Sequence, residues 1–164
     1  MVIPYAQYVG DSNPVDLLNS TLEEYRDAAS LLSDASWNQP WAKGKWTLRE
    51  VMIHVAQWEM IFGYRLASGV SSPGFTIQPA DQDRLMQHVT GIDGPAAFAG
   101  FDGARRMNLG FVRGLSGTER ATTVLHPEFG PVTVNDLIVQ MTGHGIHHLK
   151  QIRSALGPGP KTEA

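Results

Sequence analysis

The chain has no cysteine among its 164 residues. That excludes disulfides, thiolate metal ligands and a protein thiol nucleophile. It also lacks any run of eighteen apolar residues, so no segment is expected to span a membrane. Charge is sparse, at 18% of residues, and no basic cluster stands out. A net charge of -3 argues against a nucleic-acid footprint. Met1 to Gly10 has no positively charged start followed by a long apolar stretch. No signal peptide is therefore expected, and the cytoplasm is the expected compartment. What is present is 42% hydrophobic, ordinary for a globular chain. The length suits one domain with a real core.

Helical spacing dominates. After Ser12-Asn13, Pro14 suits a first turn, and Leu17, Leu18, Leu22, Tyr25, Ala28, Ala29 and Leu32 recur on one face. The second helix has a sharper start: Thr47 caps it, Glu50 completes a capping box, and Trp46 and Val51 form a staple. The same signal recurs before the fourth, with Val132, Thr133, Asp136 and Leu137. Pro95 opens the third, whose apolar positions include Phe101, Met107, Leu109 and Phe111. Helices are expected over about 14–33, 47–67, 95–116 and 133–156. Gly157 to Pro160 should stop the last one, and the tail beyond is expected to be disordered. No strand alternation persists, so the expected fold is an all-α four-helix bundle.

Three of the six histidines fall on or beside apolar stripes. His144 and His148, four apart, share one side of the fourth helix; His54 borders the stripe of the second. His147 falls on the opposite side and is expected to face solvent. One inward histidine is usually a satisfied core residue. Three together would cost about 1–3 kcal/mol each if left unpartnered, which a shared cation removes.

Depth tests the grouping. At about 1.5 Å per residue, His54 lies about 10 Å into its helix and His148 about 12 Å from the end of its own. Those depths match only if the second and fourth helices run antiparallel. An up-down-down-up bundle meets that need, with a long crossover between helices two and three. The stretch from Gly69 to Gly94 is long enough to be that crossover.

Three neutral imidazoles leave coordination positions open, the pattern of a catalytic rather than a structural site. Zinc, nickel, iron or manganese would suit it. Residue 145 is glycine where a zinc-protease helix carries its glutamate, so that class is excluded. Other marked residues have plainer readings. His126 reads as a turn residue, His88 as surface, Glu50 as a cap, and Glu59 as a surface or interhelical pair. The tryptophans read as packing. Lys150 and Gln151 could reach a substrate.

Trp46 to Glu59, His126 to Val134 and His144 to Ile152 together resemble the DinB-like superfamily, in order and spacing. The resemblance implies one DinB-like domain over 1–164 and an up-down-down-up bundle, often a homodimer. It implies a divalent metal on His54, His144 and His148. Relatives with an assigned activity use a small thiol such as bacillithiol, mycothiol or glutathione against electrophiles; others are called metal-dependent hydrolases. Three functions follow as expectations. The first is a metal-dependent transferase of a low-molecular-weight thiol, with the sulfur supplied from outside. The second is hydrolysis with metal-bound water as nucleophile. The third is non-catalytic metal binding or an interaction module. Val139 and Ile146, outside the main stripe of the fourth helix, are the expected face for a second subunit. The expected partner is a small molecule, with no nucleic acid and no membrane; the sequence assigns no catalytic residue.

Overall fold

The computed structural model describes residues 3–157; the expected disorder of the tail falls outside them. A 3-10 turn, Ala6–Tyr8, leads into α1 (Pro14–Ser30), capped by Asn13, whose side chain accepts from the Val15 N–H. A short α2 (Asp34–Trp37) precedes α3 (Leu48–Ser71). The crossover carries α4 (Gln82–Met86) and ends at α5 (Gly94–Gly114). Then come α6 (Gly117–Arg120), strands β1 (Thr123–His126) and β2 (Gly130–Thr133), and α7 (Val134–Leu156). No described helix is long and apolar enough to cross a membrane.

Both long inner helices start where their capping boxes sit. The Thr47 N–H donates to Glu50 Oε2 at 2.8 Å, and the Thr133 N–H to Asp136 Oδ2 at 2.8 Å. Each box satisfies donors that the first helical turn leaves free.

Side-chain pairs fix the topology. Thr142 of α7 bonds the Pro14 carbonyl at the start of α1, and Arg153 of α7 pairs with Glu24, so these helices run parallel. Arg26 meets Asp102 and Asn19 meets Arg113, so α1 and α5 are antiparallel. Glu59 meets Arg105, and Arg49 reaches Ile92 before α5 begins, so α3 and α5 are parallel. His54 meets His144, while Gly69 abuts Val134, so α3 and α7 are antiparallel. The bundle is up-down-down-up. The crossover returns the chain to the same end, burying Ile77 and Val89 on the way.

Three local readings needed correction. The loop before α7 is a β-hairpin, pairing Thr123 with Thr133 and His126 with Gly130. Strands of four residues are too short for alternation to show. On α5, Met107 points outward, 78% exposed, while the polar Arg105 is 0% exposed. The helix spends its inward face on a polar layer rather than on apolar packing. Finally, Val139 and Ile146 are half-buried, not an outward apolar pair. α7 is flanked by α1, α3, the hairpin and the N-terminal turn, which cover most of its surface.

The apolar core falls into two parts. Tyr25, Trp37, Met52, Ile53 and Phe101 belong to one; Leu18, Phe62, Leu66, Leu137 and Met141 belong to the other. Between them runs the buried polar layer. Arg105 grips Glu59 with two bonds of 2.8 Å and donates to Thr21 Oγ1 at 3.2 Å. Asn108 donates to Glu59 Oε1 and to its backbone oxygen, both at 2.9 Å.

Candidate metal centre

His54, His144 and His148 converge, all three buried, each offering a nitrogen within 4.8 Å of the others. α3 supplies one ring and successive turns of α7 supply two. The His54 and His144 Nε2 atoms are 3.0 Å apart. On a tetrahedral zinc, two nitrogens at about 2.0–2.1 Å would be about 3.3–3.4 Å apart. A few tenths of an ångström of opening therefore separates this pair from the spacing of two zinc ligands.

The hydrogen bonds point the same way. Among the described residues, three buried side-chain nitrogens have no partner: His54 Nδ1, His148 Nε2 and Trp58 Nε1. The Trp58 ring lies 5.8 Å from that of His144, so all three belong to one neighbourhood. Buried polar groups are ordinarily satisfied, and each exception needs a reason. A cation held by the Nε2 edges of the rings would supply it for His148 Nε2; His54 Nδ1 lies on the far edge of a ring whose Nε2 faces His144. Trp58 Nε1–H can only donate, so it needs an acceptor.

A cleft of about 370 Å³ reaches His148, lined also by Tyr5, Trp41, Lys45, Trp46, Gln82, His147 and Gln151. No carboxylate is among these residues. Trp46 stands 5.2 Å from the His54 ring. Trp41 and Trp46 therefore shape the cleft as well as pack.

The profile of the DinB superfamily matches residues 17–152. The chain belongs to this superfamily. A protein of Oceanobacillus iheyensis, named for metal-dependent hydrolysis, is 24% identical over 146 residues, covering 84% of this chain and 85% of its own. YfiT from Bacillus subtilis, assigned to the metal-dependent hydrolases with an unusual four-helix bundle topology, superposes with a TM-score of 0.76 at 19% identity. That match covers 85% of this chain and 81% of YfiT. A mycothiol-dependent maleylpyruvate isomerase gives a TM-score of 0.71 at 13% identity, covering 85% of this chain and 59% of the isomerase. At such identities, the two structural likenesses are likenesses of fold.

In this DinB chain the three rings are held neutral. Burial lowers the His54 pKa to about 3, with His148 and His147 adding repulsion. Burial lowers His148 to about 4, partly opposed by its hydrogen bond to Gln151. His144 is pushed well down by burial, then by His148, His54, Arg105 and His147. Neutral imidazoles keep the lone pairs a metal requires.

Other histidines of the DinB domain differ from their sequence readings. His147 is half-buried and its Nδ1 lies 3.0 Å from the Tyr8 hydroxyl. The N-terminal turn covers a side of α7 that would otherwise meet water. Gly143 admits that turn: a Cβ there would collide with the Tyr5 carbonyl. His126 is a buried strand residue stacked on Phe129, with ring centres 4.2 Å apart. Glu59 is fully enclosed, paired with Arg105 behind the cluster. Nothing in the helical pattern marked the Tyr5–Tyr8 turn, because its contacts are to residues more than a hundred positions away.

Proposed function

We propose that His54, His144 and His148 hold a divalent metal ion and that the protein transfers a low-molecular-weight thiol to a small electrophile. The observation that carries this reading is the convergence of three buried imidazoles, with His148 Nε2 left without a partner, beside a cleft without a carboxylate. A cation on three neutral imidazoles lowers the pKa of a thiol that binds it. The chain itself has no cysteine, so the sulfur comes with the cosubstrate.

The chain's own residues do the remaining work. Trp41, Trp46 and Tyr5 give the cleft aromatic walls on which the apolar part of an incoming molecule can pack. Lys45 is the one fixed cation among the lining residues and suits an acidic group on the incoming molecule. His147 and Gln151 line the wall beside His148.

Hydrolysis is the second reading, favoured by the names given to the Oceanobacillus iheyensis protein and YfiT. It lacks a carboxylate base: Glu50 is bound in its capping box and Glu59 is locked to Arg105. The test uses zinc-, nickel- or manganese-loaded protein with monobromobimane and each of bacillithiol, mycothiol and glutathione, beside p-nitrophenyl acetate with water alone. Thiol-dependent consumption of the bimane, abolished by chelation, is expected. Ester cleavage without thiol would favour hydrolysis; neither reaction would leave a metal-binding protein without either activity.

We infer a homodimer as well, through a different face from the one the sequence suggested. Met60, Tyr64, Met107 and Phe111 are exposed along α3 and α5. They border an apolar groove of about 330 Å³ floored by Gly63, Ala67 and Ala104. Projecting side chains and a matching groove on one patch are what a two-fold interface needs. Met107→Glu should turn a dimer into a monomer in sedimentation at micromolar concentration, with unchanged helicity. A native monomer would remove the idea.

A further inference from the structure

A series of hydrogen bonds leaves the cluster through Gln151, three residues past His148 and four past His147. Gln151 Oε1 lies 2.8 Å from His148 Nδ1. Gln151 Nε2 lies 3.3 Å from His147 Nε2, and His147 Nδ1 lies 3.0 Å from the Tyr8 hydroxyl. Lys150 stands over the Tyr8 ring at 4.5 Å. One end of the series is thus a buried ring whose Nε2 has no partner; the other is the N-terminal turn.

A neutral imidazole carries one N–H, and an amide has one donating and one accepting end. The protons can therefore run through the series in two senses only. In the first, His148 Nδ1–H donates to Gln151 Oε1. Gln151 Nε2–H donates to His147 Nε2, and His147 Nδ1–H donates to the Tyr8 oxygen. His148 Nε2 is then a free lone pair. In the second, the amide is turned over and every bond is reversed. His148 Nε2 then carries the proton and cannot ligate.

We propose that Gln151 is a positioning residue for the metal centre. By accepting the Nδ1 proton it holds the His148 tautomer whose Nε2 can bind a cation, and His147 and Tyr8 complete the series in the same sense. A partner on the second nitrogen of a ligating histidine sets which nitrogen ligates and how firmly the ring is aimed. His147 thereby acts on the centre without touching the ion. The same sense leaves the Tyr8 O–H free to donate, so metal loading is coupled to the polarity of a hydroxyl on a separate element. This inference rests on the trihistidine metal reading.

The experiment is zinc affinity by chelator competition, with three replacements at one position. Gln151→Ala should weaken binding by about 10- to 100-fold. Gln151→Met keeps the length without an acceptor and should be as weak. Gln151→Glu keeps an acceptor for Nδ1–H and should recover most of the loss. His147→Ala should fall between native and Gln151→Ala. In the long-range nitrogen–proton spectrum of the zinc-loaded protein, His148 should show a protonated Nδ1 that exchanges faster in Gln151→Met. Should Gln151→Ala fail to fold, the Met and Glu variants carry the comparison. Zinc bound equally well by native protein and Gln151→Met, or Gln151→Glu no better than Gln151→Met, would overturn the role of Gln151 alone. Native protein that binds no zinc would overturn the metal reading and this inference with it.

Discussion

Glu59→Ala should destabilise the fold by about 3–5 kcal/mol, read as a large drop in the urea midpoint. The cause is the position of Arg105. Its guanidinium is fully enclosed and held by both oxygens of Glu59. Removing the carboxylate leaves a buried cation facing two apolar half-cores, with Thr21 Oγ1 as its remaining hydrogen-bond partner. Arg105→Ala should cost a similar amount, because Glu59 then keeps only the Asn108 amide. Removing both charges should cost far less than the sum, since a buried pair replaced by apolar residues of similar volume is often neutral or stabilising. Glu59→Met with Arg105→Leu is the double variant to make. A single-variant loss under about 1 kcal/mol would mean that the layer is hydrated and the pair screened. The layer also abuts the centre: a Cβ at Gly145 would sit 2.8 Å from Arg105 Nη2.

Metal capacity should collapse when any one of His54, His144 or His148 becomes alanine, as measured by elemental analysis after dialysis. Metal retained after two such substitutions would refute the site. Stability should move the other way in metal-free protein. His148 Nε2 is a buried nitrogen without a partner, which costs about 1–3 kcal/mol, and Gln151, which holds its Nδ1, is half-buried and can turn to water. His148→Leu should therefore raise the melting temperature of the apo form while abolishing metal binding. Acid completes the test. The folded pKa values of His54 and His148, about 3 and about 4, lie below the ordinary 6.5. Between these limits the unfolded chain binds more protons. The stabilisation is complete above pH 6.5 and drains away as the pH falls towards those folded values, by up to about 1.4 kcal/mol per pH unit for each ring. Bound metal should be lost over the upper part of the same range. A flat stability profile from pH 7 to 4 would contradict the buried, neutral state.

Much of this was legible in the chain because it is written in local signals. Thr47 with Glu50 and Thr133 with Asp136 mark helix starts through bonds that span three residues. The topology came from matching depths of His54 and His148 against the length of the crossover, which is also arithmetic on one chain. What stayed hidden depends on tertiary partners. Arg105 and Asn108 look like surface residues of a glycine-rich helix until Glu59 is placed opposite them. His147 looks solvent-facing on a wheel because a wheel has no N-terminal turn. The hairpin at Thr123 to Thr133 is too short for any period. Met107 reads as core by type, yet faces outward because Arg105 and Asn108 hold the inward positions of α5.

The spacing of the three imidazoles along the chain sets an order of events during synthesis. His54 and His144 lie 90 positions apart. A nascent chain that has released α1 to α5 can already bring Glu59 to Arg105 and settle much of its interior. It has only one of the three imidazoles, so the centre cannot be assembled at that stage. The remaining two arrive almost together, on α7. The turn that carries Tyr5 and Tyr8 is made before α1 and must wait for α7 before it can close over His147. A trihistidine centre can therefore be loaded only after α7 has been made and packed, and a chain cut short before α7 would be stranded with His54 alone.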